Sequence, residues 1–397
     1  MQRSIIASQS RRELAKAFEA TFGRWARQSF ALHAGCVLVL MLVPTLRWWS
    51  TISDTSASSG DERPYFAAFE LVAVGESPFT DRAYLYPAAF AYAGSWSVEH
   101  LGRPWTDGLL RAANLLGLAV VVWCSMAWLP WSAGMRLLAG GAFVLLAPQV
   151  DYSVESNNLS LAVAGMVVAG LLLAERQAVA AGLLLGGSVA LKPIAPVAIG
   201  CLAIKGRRRD ARRSLVAAGV AMAVVAVLVV FFPHFDELVA RTRSQFIEGT
   251  VSLHRFPKLF GLEIDALWIS VAVALAAAAV VLRGSLGRAR FLCFATTAAI
   301  AATPIVRSHT LVVLLPLEVL ALTVAWRRWR AGRTGGATVP SWLESALVLL
   351  AVAGLQLSAG AGTIHGQGVL LELAGGGLPA VAPFALVGYL LRTTERF

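Results

Sequence analysis

Charge is scarce in this chain: 14% of its 397 residues are Asp, Glu, Lys or Arg, while 57% are hydrophobic. The shortage excludes an ordinary water-soluble globule, in which about 25% of residues are charged. Regular alternation of polar and apolar positions is also missing. In its place stand uncharged runs of roughly 15 to 20 residues, near the ~20 that a helix needs to cross ~30 Å of hydrocarbon. The expected fold is therefore an all-α polytopic membrane protein, since a membrane barrel would show short alternating strands. Cysteine is almost absent. Cys36, Cys124, Cys201 and Cys293 lie far apart in or beside apolar runs, without Cys-x-x-Cys or Cys/His spacing. They read as small buried hydrophobes rather than disulfide partners or metal ligands. No His/Asp/Glu group stands at ligand spacing, so no metal site is expected.

What charge there is has a pattern. The formal net charge is +11, and its basic residues sit at the ends of apolar runs. Arg3, Arg11, Arg12, Lys16, Arg24 and Arg27 precede the first run, "KGRRRDARR" (205–213) follows a middle one and "RRWRAGR" (327–333) a later one. This is the positive-inside distribution, which assigns those segments to the cytoplasm. No soluble domain remains to carry a nucleic-acid function. The plan is an amphipathic cytoplasmic N-terminus over 1–29 and a single transmembrane domain over 30–397, its first run a retained signal anchor. The outer loops fall at about 47–84 and 233–265, with a short outer turn at 306–310. Candidate spans run from 30–46 and 85–101 to 342–357 and 378–391. Together they give one crossing too many for both termini to lie inside. The short pair 178–191 and 194–204, separated only by Lys192 and Pro193, is the expected exception, as one broken helix or a re-entrant pair. About twelve spans remain.

Four segments carry polar chemistry. The first outer loop holds five carboxylates, two arginines and four of the chain's six tyrosines between Gly60 and Ala93. Phe66, Phe69, Val72 and Ala73 recur at helical spacing, which predicts an amphipathic interfacial helix over 64–74 with Asp61 at its N-terminal end. Asp61 is then either a capping acid or a functional carboxylate. "DYSVESNN" (151–158) is a wet turn or part of a polar cavity. Lys192, between apolar runs and followed by Pro193 and Pro196, is functional by default at membrane depth, or else snorkels to the interface. "TPIVRSHT" (303–310) sets Arg307 and His309 in a turn on the same side as the acidic loop, suited to an anionic group.

Taken in order, these segments resemble the polyprenyl-phosphate-dependent mannosyltransferases of glycosyltransferase family 87. "DERPYFAAFELVAVGESPFTDRAYLYPAAFAYA" (61–93) is similar to that family's first outer loop: an Asp, a Tyr four residues on, a Gly-x-x-Pro-Phe step and a Tyr-Pro opening the next helix. "SVESNNLSLAVAGMVVAGLLLAER" (153–176) occupies the place of its Gly-Gln-x-Asn span. "AAGLLLGGSVALKPIAPVAI" (180–199) resembles its Gly-rich, Lys-containing helix pair, and "TPIVRSHTLVVLLPLEVLAL" (303–322) its closing Pro, His and Leu-rich segment. Two positions depart from the pattern: only Asn158 matches cleanly within "ESNN", and Ala88 stands where a second Pro follows Tyr-Pro.

The resemblance implies a GT-C-type bundle in the bacterial plasma membrane, with its active site on the extracytoplasmic side. It implies transfer of a hexose, mannose first, from a polyprenyl-phosphate donor to a hydroxyl of a cell-envelope glycolipid or glycan, with inversion. Asp61 would be the general base, Lys192, Arg307 and His309 would bind the donor phosphate, and Tyr65, Tyr86, Glu155 and Asn158 the sugar or acceptor. No cofactor is implied, and a divalent ion between Asp61 and the phosphate stays open. Two other readings remain: a transporter or flippase using Lys192, Arg307 and Glu318, and an inactive relative of the same fold.

Overall fold

The computed structural model describes residues 31–42, 44–46, 62–81, 83–127, 150, 153, 157–207, 212–232, 234, 236–238, 240, 262, 264–284, 286–303, 308–332, 341–357 and 378–392. Within them the regular structure is helical, without strands. This follows from the apolar composition, because a helix satisfies its own backbone where no water can. The helices are α1 (Ala31–Leu46), α2 (Glu62–Ala73), α3 (Ala88–Leu101), α4 (Arg103–Ala127), α5 (Ser160–Leu173), α6 (Ala178–Leu191), α7 (Pro196–Gly206) and α8 (Arg212–Phe231). After them come α9 (Ala266–Arg283), α10 (Arg288–Ala302), α11 (Leu315–Gly332), α12 (Ser341–Leu357) and α13 (Leu378–Arg392). Four helical stretches, Arg103–Ala127, Arg212–Phe231, Ala266–Arg283 and Thr310–Arg328, are long and apolar enough to cross a membrane. The expected span at 135–148 lies outside the described residues.

Two poles organise the bundle. At one, Glu175 in the α5–α6 turn accepts from Lys205 Nζ near the end of α7 (2.7 Å) and from Arg288 Nε at the start of α10 (2.5 Å). At the other, Lys192 between α6 and α7 reaches Ser160 at the start of α5. Helices α6 and α7 therefore each run from pole to pole. The sequence reading expected this pair to be the exception to full crossing, and at 14 and 11 residues both helices are shorter than the stretches long enough to cross a membrane. Helix α3, expected as a span over 85–101, begins and ends beside α2. Tyr86, just before α3, contacts Tyr65, and Arg103, just after it, lies 4.5 Å over the Phe66 ring. Gly102 makes the return, with φ +85°, a left-handed turn that a side chain would strain. The physical reason is amphipathic content: Ser95, Ser97, Glu99 and His100 interrupt the apolar run, and α3 buries its aromatic face on α2 instead of in lipid.

Helices α4 and α5 run side by side in the same direction. At their crossing Gly117 and Gly165 meet backbone to backbone, and a Cβ on either would strike the other helix. Small residues permit such an approach between membrane helices. The consequence is positional. Asn114, one turn before Gly117, accepts from the Ala162 amide at 3.1 Å, so the first three turns of α4 project beyond the start of α5 and wall the Lys192 pole. Helices α2 and α3 lie against that wall, around a cluster of Tyr65, Phe66, Phe69, Phe79, Tyr84, Tyr86 and Phe90.

Candidate functional site

The floor of the Lys192 pole is built where α5 begins. Asn157 takes a left-handed backbone, φ 48°, a region that asparagine tolerates better than most residues. This kink separates the bonding of two adjacent amides. Asn158 Oδ1 accepts from the Ser160 amide at 2.9 Å and the Ser160 hydroxyl at 2.5 Å, satisfying an open donor at the start of α5. Its Nδ2 donates to Tyr86 Oη at 3.1 Å, and the Tyr65 hydroxyl donates to that same oxygen at 2.8 Å.

Lys192 is delivered to this floor by its neighbours in sequence. Pro193 disfavours helical backbone in the residue before it, and Lys192 is accordingly extended, with φ −158° and ψ 126°. Pro196 then opens α7 at a position where its missing N–H is no loss. The ammonium donates to Ser160 Oγ at 3.0 Å and Thr310 Oγ1 at 3.1 Å, and sits 5.9 Å from the centre of the Tyr86 ring. A cation fixed by hydroxyls above an aromatic face suits an anionic ligand.

A second branch leaves Asn157. Its Nδ2 donates to Asp107 Oδ1 at 2.8 Å, and its Oδ1 accepts from Asn114 Nδ2 at 3.2 Å. Asp107 Oδ2 accepts from Arg111 Nε, one turn along α4, at 2.7 Å. Arg111 also donates through its Nη2 to Glu62, the first residue of α2, at 3.2 Å. Both branches therefore end on the first turn of α2, at Glu62 and Tyr65. Burial and then the charge of Asp107 push the Glu62 carboxyl above its ordinary range, against the opposing pull of Arg111. Burial likewise raises the Tyr84 phenol well above its usual value, so it stays neutral and donates to the Pro87 carbonyl at 3.0 Å.

Beside Lys192 a small apolar groove opens between the start of α3, the end of α6 and the end of α8, lined by Ala88, Val189, Pro193, Leu228, Phe232 and Leu238 among others. Its chemistry suits hydrocarbon. Among the described residues no three His, Cys, Asp or Glu side chains are grouped to hold a metal ion.

Of the residues singled out in the sequence, Lys192, Tyr65, Tyr86 and Asn158 come together. Tyr65 is wholly buried, packed edge-on to Tyr86 and Phe90 with centroids at 4.8 and 5.2 Å. Asp61, Glu155 and Arg307 lie outside the described residues. His309 has a described backbone, in the 3-10 turn Ser308–Leu314 that also carries Thr310, and its side chain lies outside. Sequence reasoning missed Asp107, Arg111, Asn114, Asn157, Ser160 and Thr310. A signal for three of them existed: positions 107, 111 and 114 form a polar stripe at helical spacing in an otherwise apolar run.

The sequence profile of glycosyltransferase family 87 matches residues 84–306, more than half of the chain. No curated protein matches. Among solved structures, the crystal structure of ArnT from Cupriavidus metallidurans bound to undecaprenyl phosphate is similar over 90% of this chain and 76% of that one, at 16% identity and a TM-score of 0.42. That likeness is too distant to carry a functional argument.

Proposed function

The chain belongs to glycosyltransferase family 87, and on that premise we propose that it moves a hexose, mannose first, from a polyprenyl-phosphate donor to a hydroxyl of a cell-envelope glycolipid or glycan. The fold is read as GT-C type, and the Lys192 pole as the extracytoplasmic side of the bacterial plasma membrane, because Lys205, Arg213 and Arg288 gather at the opposite pole. The observation that carries the proposal is the pairing of a fixed ammonium with an apolar groove. A lipid phosphate needs both at once: Lys192 for the phosphate, and the Pro193–Phe232 groove beside it for the first stretch of the tail.

In the reaction the acceptor oxygen attacks the anomeric carbon as the bond from that carbon to the phosphate oxygen breaks. The bonding pair leaves with the polyprenyl phosphate, and the hydroxyl proton goes to the Asp61 carboxylate. A carboxylate of ordinary pKa, near ~4, is too weak to remove that proton in advance, so its transfer must accompany attack. Single displacement inverts the anomeric centre: a β-linked donor gives an α-linked product. The departing phosphate gathers charge, which Lys192, with Arg307 and His309, would stabilise in a site poor in water. Tyr86, whose oxygen accepts from both Asn158 and Tyr65, offers its phenol proton to the sugar beside that cation; Asn158 and Tyr65, themselves buried, orient it, and Glu155 completes the proposed sugar and acceptor contacts.

The test uses protein in lipid nanodiscs, radiolabelled polyprenyl-phosphate mannose and a cell-envelope lipid extract. The wild type should move label to a new glycolipid. Asp61→Asn should slow transfer by roughly 10²- to 10⁴-fold, the range for loss of a general base, while still binding donor. Failure of the wild type to bind the labelled lipid would overturn the reading.

A further inference from the structure

The two branches that meet at Asn157 and Asn158 differ in electrical sign. One ends on the Lys192 ammonium. The other gathers the carboxylates of Glu62 and Asp107 around a single guanidinium, Arg111, with the neutral amide of Asn157 closing the group. All three charged side chains are largely buried yet keep some open surface, at 16%, 22% and 13% exposure. Arg103, which contacts α2 at Phe66, is exposed and is paired with Glu70 at 3.7 Å. The group therefore holds two negative charges against one positive. Arg111 has one further donor, Nη1, which is buried and makes no hydrogen bond. A buried guanidinium N–H left unsatisfied is unfavourable.

We infer that Glu62, Asp107 and Arg111 form the acceptor subsite, and that it takes a neutral polyol, the hydroxyl face of a sugar, and rejects phosphate. Carboxylates accept from hydroxyl groups and make the stronger, charge-assisted class of hydrogen bond, and Arg111 holds the two of them in place. A phosphate placed here would meet two carboxylates in a poorly hydrated setting, where like charges repel most strongly. Position agrees with the chemistry. Glu62 follows the proposed base Asp61 directly in the chain. The inference rests on the transferase reading for which substrate is the acceptor, and adds the sorting of substrates by charge: anionic donor at Lys192, neutral acceptor at Glu62–Asp107–Arg111.

The test measures two affinities on the full-length protein in nanodiscs. An alkyl mannoside serves as the neutral probe, followed by saturation-transfer NMR, and a short-chain polyprenyl phosphate as the anionic one. Glu62→Gln preserves shape and removes charge. Asp107→Asn does the same on α4, and Glu62→Gln keeps the test valid if loss of the Asp107–Arg111 pair unsettles the fold. Each should weaken the mannoside roughly tenfold, the difference between charge-assisted and neutral hydrogen bonds, and leave the phosphate lipid within twofold. An unchanged mannoside affinity, an equal loss for both probes, or a wild type that binds the phosphate lipid but no mannoside would overturn the inference. A wild type that binds mannoside and no phosphate lipid would instead overturn the donor reading, and the charge dependence of mannoside binding would still decide the acceptor subsite.

Discussion

Glu62 and Glu175 are the same side chain at opposite poles of one bundle, and burial opposes the charge of both. They titrate in opposite directions. Burial is also the largest influence on Glu175, but hydrogen bonds from Lys205 and Arg288, with their charges, outweigh it and hold the carboxyl below its ordinary value. At Glu62 burial is joined by Asp107, and Arg111 does not cancel the two. The difference is stoichiometry. At the Glu175 pole two cations share one carboxylate; at the Glu62 pole two carboxylates share one cation. The first arrangement completes its own bonding and ties α5, α6, α7 and α10 together. The second leaves one carboxylate charge without its own cation.

The sharpest way to break this comparison is to treat the two lysines alike. Lys192→Met should reduce sugar transfer at least roughly 100-fold, as expected when a charge stabiliser of the leaving group is lost. Lys205→Met should leave the rate within about twofold and lower the melting temperature, since Arg288 still holds Glu175. Matched initial rates and thermal melts in nanodiscs check both, and equal losses of activity would mean that the poles are not functionally distinct.

A smaller effect separates the glutamates by stability. Glu175→Gln removes a carboxylate whose folded pKa is depressed. The stabilisation it supplies is present above the unfolded value of ~4.3 and is lost as pH falls through the folded pKa. The variant should therefore be less stable than wild type by about 1–2 kcal/mol at pH 7, and the gap should close on acidification, as read by melts across pH.

Glu62→Gln should give the smallest change, with the opposite slope. The raised folded pKa means that the wild type is favoured below the unfolded value and loses stability as pH rises through the folded one. The variant should match wild type near pH 4 and exceed it by less than about 1 kcal/mol at pH 8. Parallel slopes for the two variants would remove the physical basis of the comparison.

Part of this site was legible without coordinates. Lys192 could be found because a charge between apolar runs is conspicuous and because Pro193 fixes the backbone before it. Asn158, Tyr65 and Tyr86 could be named from the ordered motifs, and the structure joins them through hydroxyls and amides. Asp107 and Arg111 were hidden because each, taken alone, reads as an ordinary charge near the end of a span. Their meaning depends on a glycine crossing, Gly117 on Gly165, that sets how far α4 projects past α5. Helix α3 was misread for a related reason: hydropathy counts apolar residues but does not say whether they face lipid or the aromatic face of α2.

The sequence by itself determined that the chain is helical, that it belongs in a membrane, which residues are basic enough to anchor one face, and which family it resembles. Each of these follows from composition, local backbone preference or linear order. Only the tertiary structure decided that α6 and α7 link the two poles as a pair of short helices, that α3 lies along α2, and that two cations share Glu175 at one pole while Glu62 and Asp107 share Arg111 at the other. Those outcomes depend on which ends of different helices meet, and residues such as Glu62, Arg111 and Asn157 are brought together by packing rather than by spacing along the chain.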